Sequence, residues 1–207
     1  LSLIASKKSN VRNPDDLKGK NISVSGNTFV EYATDEVMKR ACLHPGEVNK
    51  PEINNIPLRL MMLEDGQISA SFLPGPATAI ALNDGHTALL NTRQMGLRCT
   101  GIVFSEKAIT EKDEEIRRFI TGYNLGVKYL QTRPQNEWTE ILVKEFGLQE
   151  KAAMQIDLPD YRPATRPSYH DIEKIIAWLK SKGAIPDYYP GENLVDTTFI
   201  PGTLKPQ

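Results

Sequence analysis

Between Leu17 and Phe104 short apolar runs alternate with amphipathic stretches, and this alternation restricts the fold more than anything else in the chain. Asn21-Ile22-Ser23-Val24-Ser25 reads as a strand. Gly26-Asn27-Thr28 then opens a helix in which Phe29, Ala33, Val37 and Ala41 recur every fourth residue, with Val30 beside them. Thr28 followed by Glu31 fits a capping box at its start, and His44-Pro45-Gly46 closes it. A second strand is expected within Val48–Ile53. Pro57 suits the first turn of a helix carrying Leu58, Met61, Met62 and Leu63, ended by Gly66. Ile68–Phe72 reads as a buried strand, Pro74-Gly75-Pro76 breaks the chain, Ala77–Leu82 is a short helix, and His86–Asn91 is another strand. Strands joined through helices cannot be hairpins. They form a mostly parallel sheet with helices on both faces, an α/β architecture.

From Gly101 the pattern changes. Gly101-Ile102-Val103-Phe104 is expected as one more strand, and only helices follow. Thr110 is read as the cap of a long helix, with Asp113, Glu114 and Glu115 in its first turn as helix-dipole partners. Its apolar stripe is Ile116, Phe119, Ile120, Tyr123, Val127 and Leu130, and Arg133-Pro134 stops it. A shorter helix carries Trp138, Ile141, Leu142 and Phe146. The proline-studded segment Leu158–Pro167 is expected to be a loop, after which Ser168 and Asp171 start a helix bearing Ile172, Ile175, Ile176 and Leu179. The division expected is therefore an α/β part over 1–108 and a helical C-terminal tail over 109–207. The stripes of that tail need a surface, and the sheet's two faces are already used by its own helices.

Several functions are disfavoured by what the chain contains. Lys and Arg number 25 against 26 Asp and Glu, a net charge of −1, which gives no basis for binding a phosphate backbone. No nucleic acid is expected as a partner. No apolar run approaches the ~18 residues of a membrane span. The opening Leu1–Ser6 lacks the basic and long apolar regions of a signal peptide. Phosphate-loop, dinucleotide, nucleophile-elbow and zincin motifs do not occur. His44, His86 and His170 lie far apart in sequence and read as surface residues, so no metal or cofactor is expected. Cys42 and Cys99 stand in no redox or metal spacing and read as two separate buried thiols.

Two strand-to-helix junctions hold the candidate site: Ser25, Gly26, Asn27 and Thr28 at the first, Pro74 and Gly75 at the second. In an open parallel sheet such junctions lie at the carboxyl edge, where ligands bind. Helix starts leave N–H groups unpaired, a cradle for a carboxylate, sulfonate or polarised carbonyl. Glycine at 26 and 75 lets a ligand approach the backbone. Asn27 and Thr28 serve equally well as plain caps and Pro74-Gly75-Pro76 as a plain turn, so spacing leaves both roles open.

Asp16-Leu17-Lys18-Gly19-Lys20-Asn21-Ile22-Ser23-Val24 is similar to the opening of the second lobe in type 2 periplasmic solute-binding proteins of ABC importers. Leu63–Ala70, then Leu73-Pro74, then Ala81–Gly85 resembles a second motif of that group, in the branch of thiamine-precursor, alkanesulfonate, taurine and nitrate binders. Ser69 stands where the family usually has Asp, and Gly75 where it often has Glu. The resemblance implies lobe two of a two-lobed protein, with hinge strands at 1–6 and 101–105, a tail returning toward an incomplete lobe one, and the N-terminal part of lobe one missing. It also implies a non-enzymatic, periplasmic or lipid-anchored extracytoplasmic protein that passes a small molecule to a membrane permease. An enzyme similar to thiamine pyrimidine synthases and a sensor domain are the alternatives it leaves. The cysteine-rich iron motif of those synthases cannot be assembled from Cys42 and Cys99.

Overall fold

The computed structural model describes residues 1–98, 100–154, 156 and 161–200. The chain divides into two compact units, one of residues 1–98 with 141–157, the other of 99–140 with 158–207.

The first unit is built on a four-stranded sheet in the order β2-β3-β1-β4, with β1 at Ser2–Ala5, β2 at Ile22–Ser23, β3 at Ala70–Leu73 and β4 at Thr87–Asn91. β2 runs parallel to β3, while β1 is antiparallel to both β3 and β4. Hence β2, β3 and β4 point the same way and only β1 opposes them. The α/β class and the mostly parallel sheet hold. Residues 49–52 lie parallel beside β2, touching it only through the bridges Asn21–Asn49 and Val24–Glu52 rather than as the full strand expected over Val48–Ile53. Pro51 explains this, since it has no N–H to extend the ladder; its carbonyl still accepts from Val24 N–H at 3.0 Å.

Alternation along the strands sorts side chains onto two faces. Leu3, Ala5, Ala70, Phe72 and Ile22 pack with Ala33, Val37 and Met38 of α1 (Phe29–Arg40). Ile4 and Leu73 point the other way, onto Leu63 of α2 (Ile56–Asp65) and Ala77 and Ala81 of α3 (Gly75–Asn83). Gly66 ends α2 as expected, at φ 76°, a conformation that glycine adopts without strain. Phe72 is fully buried between the layers. Truncating it to alanine would cost about 3–5 kcal/mol. The short helix α7 (Glu150–Met154) packs on α3 within this unit.

Described residues of the second unit form no strand. The hinge strand expected at 101–105 is not there: Gly101–Ser105 is irregular, with Val103 88% exposed. Branched residues favour strands only where a neighbouring strand pairs with them. Ser105 caps α4 (Glu106–Glu111), its hydroxyl accepting from Ala108 N–H at 3.2 Å. Thr110 therefore lies inside α4 instead of capping the long helix, and its hydroxyl donates back to Glu106 and Lys107 carbonyls. The long helix α5 spans Asp113–Thr132, with Asp113–Arg117 and Glu114–Arg118 ion pairs along its exposed side. Ile116 and Ile120 pack with Phe199, Phe104 and Ala108. The helix α6 (Gln135–Phe146) begins in this unit, and α8 (Tyr169–Ser181) starts at the Ser168 cap, as the sequence predicts. The expected loop over Leu158–Pro167 falls in part outside the described residues. Among the described residues, no helix is long and apolar enough to cross a membrane.

Candidate functional site

β2 and β3 are parallel neighbours, with Ser23 opposite Ser71, so both chains leave the sheet at the same edge. Ser25, Gly26, Asn27 and Thr28 follow the first strand, Pro74 and Gly75 the second. All six residues singled out in the sequence are thereby brought to one edge.

The first junction is tightly wired. Thr28 Oγ1 accepts from Val30 N–H at 3.2 Å and donates to the Ser25 carbonyl at 2.8 Å. Glu31 reaches back as a capping-box acid does and accepts the N–H of Asn27 at 2.8 Å. The reason is the backbone: Asn27 sits at φ 55°, which turns its amide toward the helix start. At the second junction Pro74 is the N-cap of α3 and supplies no capping side chain. Gly75 is the exposed first residue of that helix, and among the described residues a β-carbon placed there would come within 4 Å of Ile156 Cγ2 alone, at 3.9 Å.

Two residues that the sequence reading passed over complete the edge. Arg59 of α2 is only 3% exposed. Its Nε donates to the Ile53 carbonyl (2.7 Å), Nη1 to the Phe72 carbonyl (3.2 Å) and Nη2 to Ser25 Oγ (2.5 Å). One guanidinium thus joins the ends of three adjacent chain segments, and its partners are all neutral. Burial holds its pKa below the ordinary arginine value, yet a guanidinium stays charged in a protein. The second residue is Glu52. Its exposed carboxylate lies over Gly26, so a β-carbon at Gly26 would stand 3.0 Å from Oε1. Asn54 Nδ2 donates to the same oxygen at 3.3 Å.

Arg59 left a trace in the sequence: it is the one charged residue in the apolar run Ile56–Leu63, four residues before Leu63, on the face that the helix period buries. Glu52 left none, since its place depends on the parallel bridge from Val24.

Two side-chain readings need correction. His86 is buried, not on the surface: Nδ1 accepts from Lys7 N–H at 3.0 Å and Nε2 lies 2.7 Å from Glu64 Oε2. Lys7 follows β1 and His86 precedes β4, which puts this cluster at the sheet edge opposite the candidate site. The buried backbone end of β1 there needs a polar partner, and the imidazole provides it. Cys42 is exposed rather than buried because it follows the last turn of α1 at φ 52°, outside the packed stripe. A 12-residue helix separates it from Thr28, about 18 Å. Cys99 lies outside the described residues.

The profile of the NMT1/THI5-like family matches residues 1–137, about two thirds of the chain. The chain belongs to this family. No curated protein matches it significantly by sequence. Among solved structures, the alkanesulfonate-binding protein SsuA from Xanthomonas axonopodis pv. citri, bound to MOPS, is similar at TM-score 0.75 and 19% identity over 89% of this chain. The periplasmic aliphatic sulphonate-binding protein SsuA from Escherichia coli is similar at 0.72 and 13% identity, also over 89% of this chain. This NMT1/THI5-like chain spans 65% and 61% of those two proteins. The desulfurization enzyme DSZB shares the fold at TM-score 0.62 and 11% identity, over 96% of this chain and 74% of that one. These likenesses place the fold among periplasmic-binding-protein-like structures.

Proposed function

We propose that this chain is part of a solute-binding component of an ABC importer, working outside the cytoplasm. It captures a small polar or anionic molecule at the edge formed by Ser25–Thr28 and Pro74–Gly75 and delivers it to a membrane permease. The observation that carries this reading is the bridge made by Arg59, which holds both junctions at one sheet edge. A charge kept under that edge biases it toward ligand acceptors, and at the start of α3 the N-cap Pro74 has no side chain that can take up the helix N–H groups. Membership of the NMT1/THI5-like family and the likeness to sulfonate-binding proteins support the same role. In this reading residues 1–108 serve as the second lobe, hinged at 1–6 and beyond residue 100, and the helical tail serves a first lobe.

A thermal-shift screen of sulfonates, pyrimidines and small anions tests this. At least one class should raise the melting temperature of the wild-type chain and leave a Gly75→Leu variant unmoved. Equal shifts in both proteins would remove the edge from consideration.

The likeness to DSZB favours a second reading, an enzyme on the same fold. Turnover separates the two: a binding component returns its ligand unchanged after prolonged incubation, as mass spectrometry of the recovered small molecule would show.

A further inference from the structure

At the first junction the N–H of Asn27 is already taken by the chain itself. Among the described residues, Asn27 and Cys42 are the non-glycine residues at positive φ. That conformation points the Asn27 amide at α1, where Glu31 Oε2 accepts it at 2.8 Å. The Glu31 side chain is only 8% exposed, and a carboxylate so covered is costly unless it is paired and hydrogen-bonded. Lys50 supplies the pairing. Its Nζ stands 3.5 Å from Glu31 Oε1 and 2.8 Å from Asp35 Oδ1, one turn further along the same helix. Burial acts to lower the Lys50 pKa, but the Asp35 and Glu31 carboxylates outweigh it and leave it raised, so the ammonium is kept. Lys50 belongs to the segment that lies beside β2, bridged to it at Asn21–Asn49 and Val24–Glu52. The loop that turns at Asn27 is therefore tied to a charged cluster anchored on both α1 and the sheet.

We infer that Glu31, seated by Lys50, is a positioning residue for the binding edge: it holds Asn27 in the left-handed conformation and so fixes where Gly26 and Asn27 stand. This deepens the proposed solute-binding role and rests on it. Asparagine tolerates the left-handed conformation better than most residues but does not enforce it. A hydrogen bond to a charged acceptor does. A loop held in one shape loses less affinity to ordering when a ligand arrives. Glu31 and Lys50 thus act through the loop and do not themselves meet the ligand.

The test is NMR of the chain, first without ligand and then titrated with ethanesulfonate, inorganic sulfate and cytosine. Without ligand, the Asn27 amide proton and its coupling to Hα report the hydrogen bond and the φ angle. Glu31→Gln, which keeps an acceptor oxygen, should retain both signatures. Glu31→Leu should lose both while the amides of the sheet stay in place. With whichever probe shifts the Gly26 and Gly75 amides, Glu31→Leu should bind about tenfold more weakly than wild type, and Glu31→Gln within about threefold of it. Lys50→Met should weaken binding in the wild-type background and change little beside Glu31→Leu. If Glu31→Leu keeps the Asn27 signatures, or loses them without losing affinity, the positioning role is wrong while the edge stands. It is also wrong if Lys50→Met weakens binding equally in both backgrounds. If no probe shifts the Gly26 and Gly75 amides at millimolar concentration, the solute-binding reading fails and the inference falls with it.

Discussion

Arg59 Nη2 donates to Ser25 Oγ at 2.5 Å while Nη1 donates to the Phe72 carbonyl at 3.2 Å, so a residue of α2 ties the ends of β2 and β3. Removing it would leave two carbonyls and a hydroxyl buried without their donor. Each such loss costs about 1–3 kcal/mol, partly relieved by relaxation. Arg59→Met is expected to lower stability by about 3 kcal/mol in urea unfolding. Arg59→Lys, keeping charge but not the fork, should recover less than half of that. A loss below about 1 kcal/mol for Arg59→Met would show that the bridge is not what holds the edge.

The two glycines make a contrasting prediction. Neither Gly26 nor Gly75 has the left-handed backbone that favours glycine. Among the described residues, a β-carbon at Gly75 comes within 4 Å of the outer atom of Ile156 alone, and the nearest atoms to one at Gly26 belong to the exposed end of Glu52. Gly75→Leu and Gly26→Leu should therefore change stability by no more than about 1 kcal/mol, as for other surface substitutions. Ligand affinity should fall at least tenfold in each. Unchanged affinity in both variants would argue against the edge as the binding site.

Much of this was legible in the sequence, for reasons that differ by element. The starts of α1 and α8 carried local capping signals in Thr28 and Ser168, and the end of α2 was marked by Gly66. The two junctions followed because each breaker comes directly after an apolar strand. Tertiary pairing was not legible. Ile102 and Val103 have strand-forming side chains but no neighbouring strand, and Val48–Ile53 has a neighbour but also Pro51. Thr110 lost the capping role because Ser105 starts an earlier helix. Glu52 and His86 take their roles from partners 26 and 79 residues away in sequence, Gly26 and Lys7. Such pairings become visible only when the sheet is assembled.

Acid should destabilise the first unit through three carboxylates. Lys18 with the His44 N–H holds Glu47 below its ordinary pKa, and Lys7 with His86 does the same for Glu64. Asp16 is lowered by the N–H groups of Arg12 and Asn13. A carboxylate whose pKa is depressed on folding adds stability above its unfolded value, and that stability disappears as pH falls through the folded value. The melting temperature should thus be level above about pH 5 and drop steadily below about pH 4. Glu47→Gln combined with Glu64→Gln should flatten the drop, because a neutral amide does not titrate. A double variant that keeps the full wild-type slope would assign acid sensitivity to other groups.

The register of β2 against β3, which decides whether the two junctions meet, is pinned by a buried polar pair. Ser23 Oγ donates to Ser71 Oγ at 2.8 Å, and both side chains are fully buried. Ser71 in turn faces the Phe72 carbonyl at 3.4 Å, the same oxygen that accepts from Arg59. Ser71→Ala would strand the Ser23 hydroxyl away from water, and Ser23→Ala would leave Ser71 with its longer contact. Each change is expected to cost about 1–2 kcal/mol. The double variant removes donor and acceptor together, so its cost should fall short of the sum by about 0.5–1.5 kcal/mol. Urea unfolding of the four proteins measures this coupling. Strict additivity would mean that the two hydroxyls are independent, and that backbone pairing alone aligns the strands carrying Ser25 and Gly75.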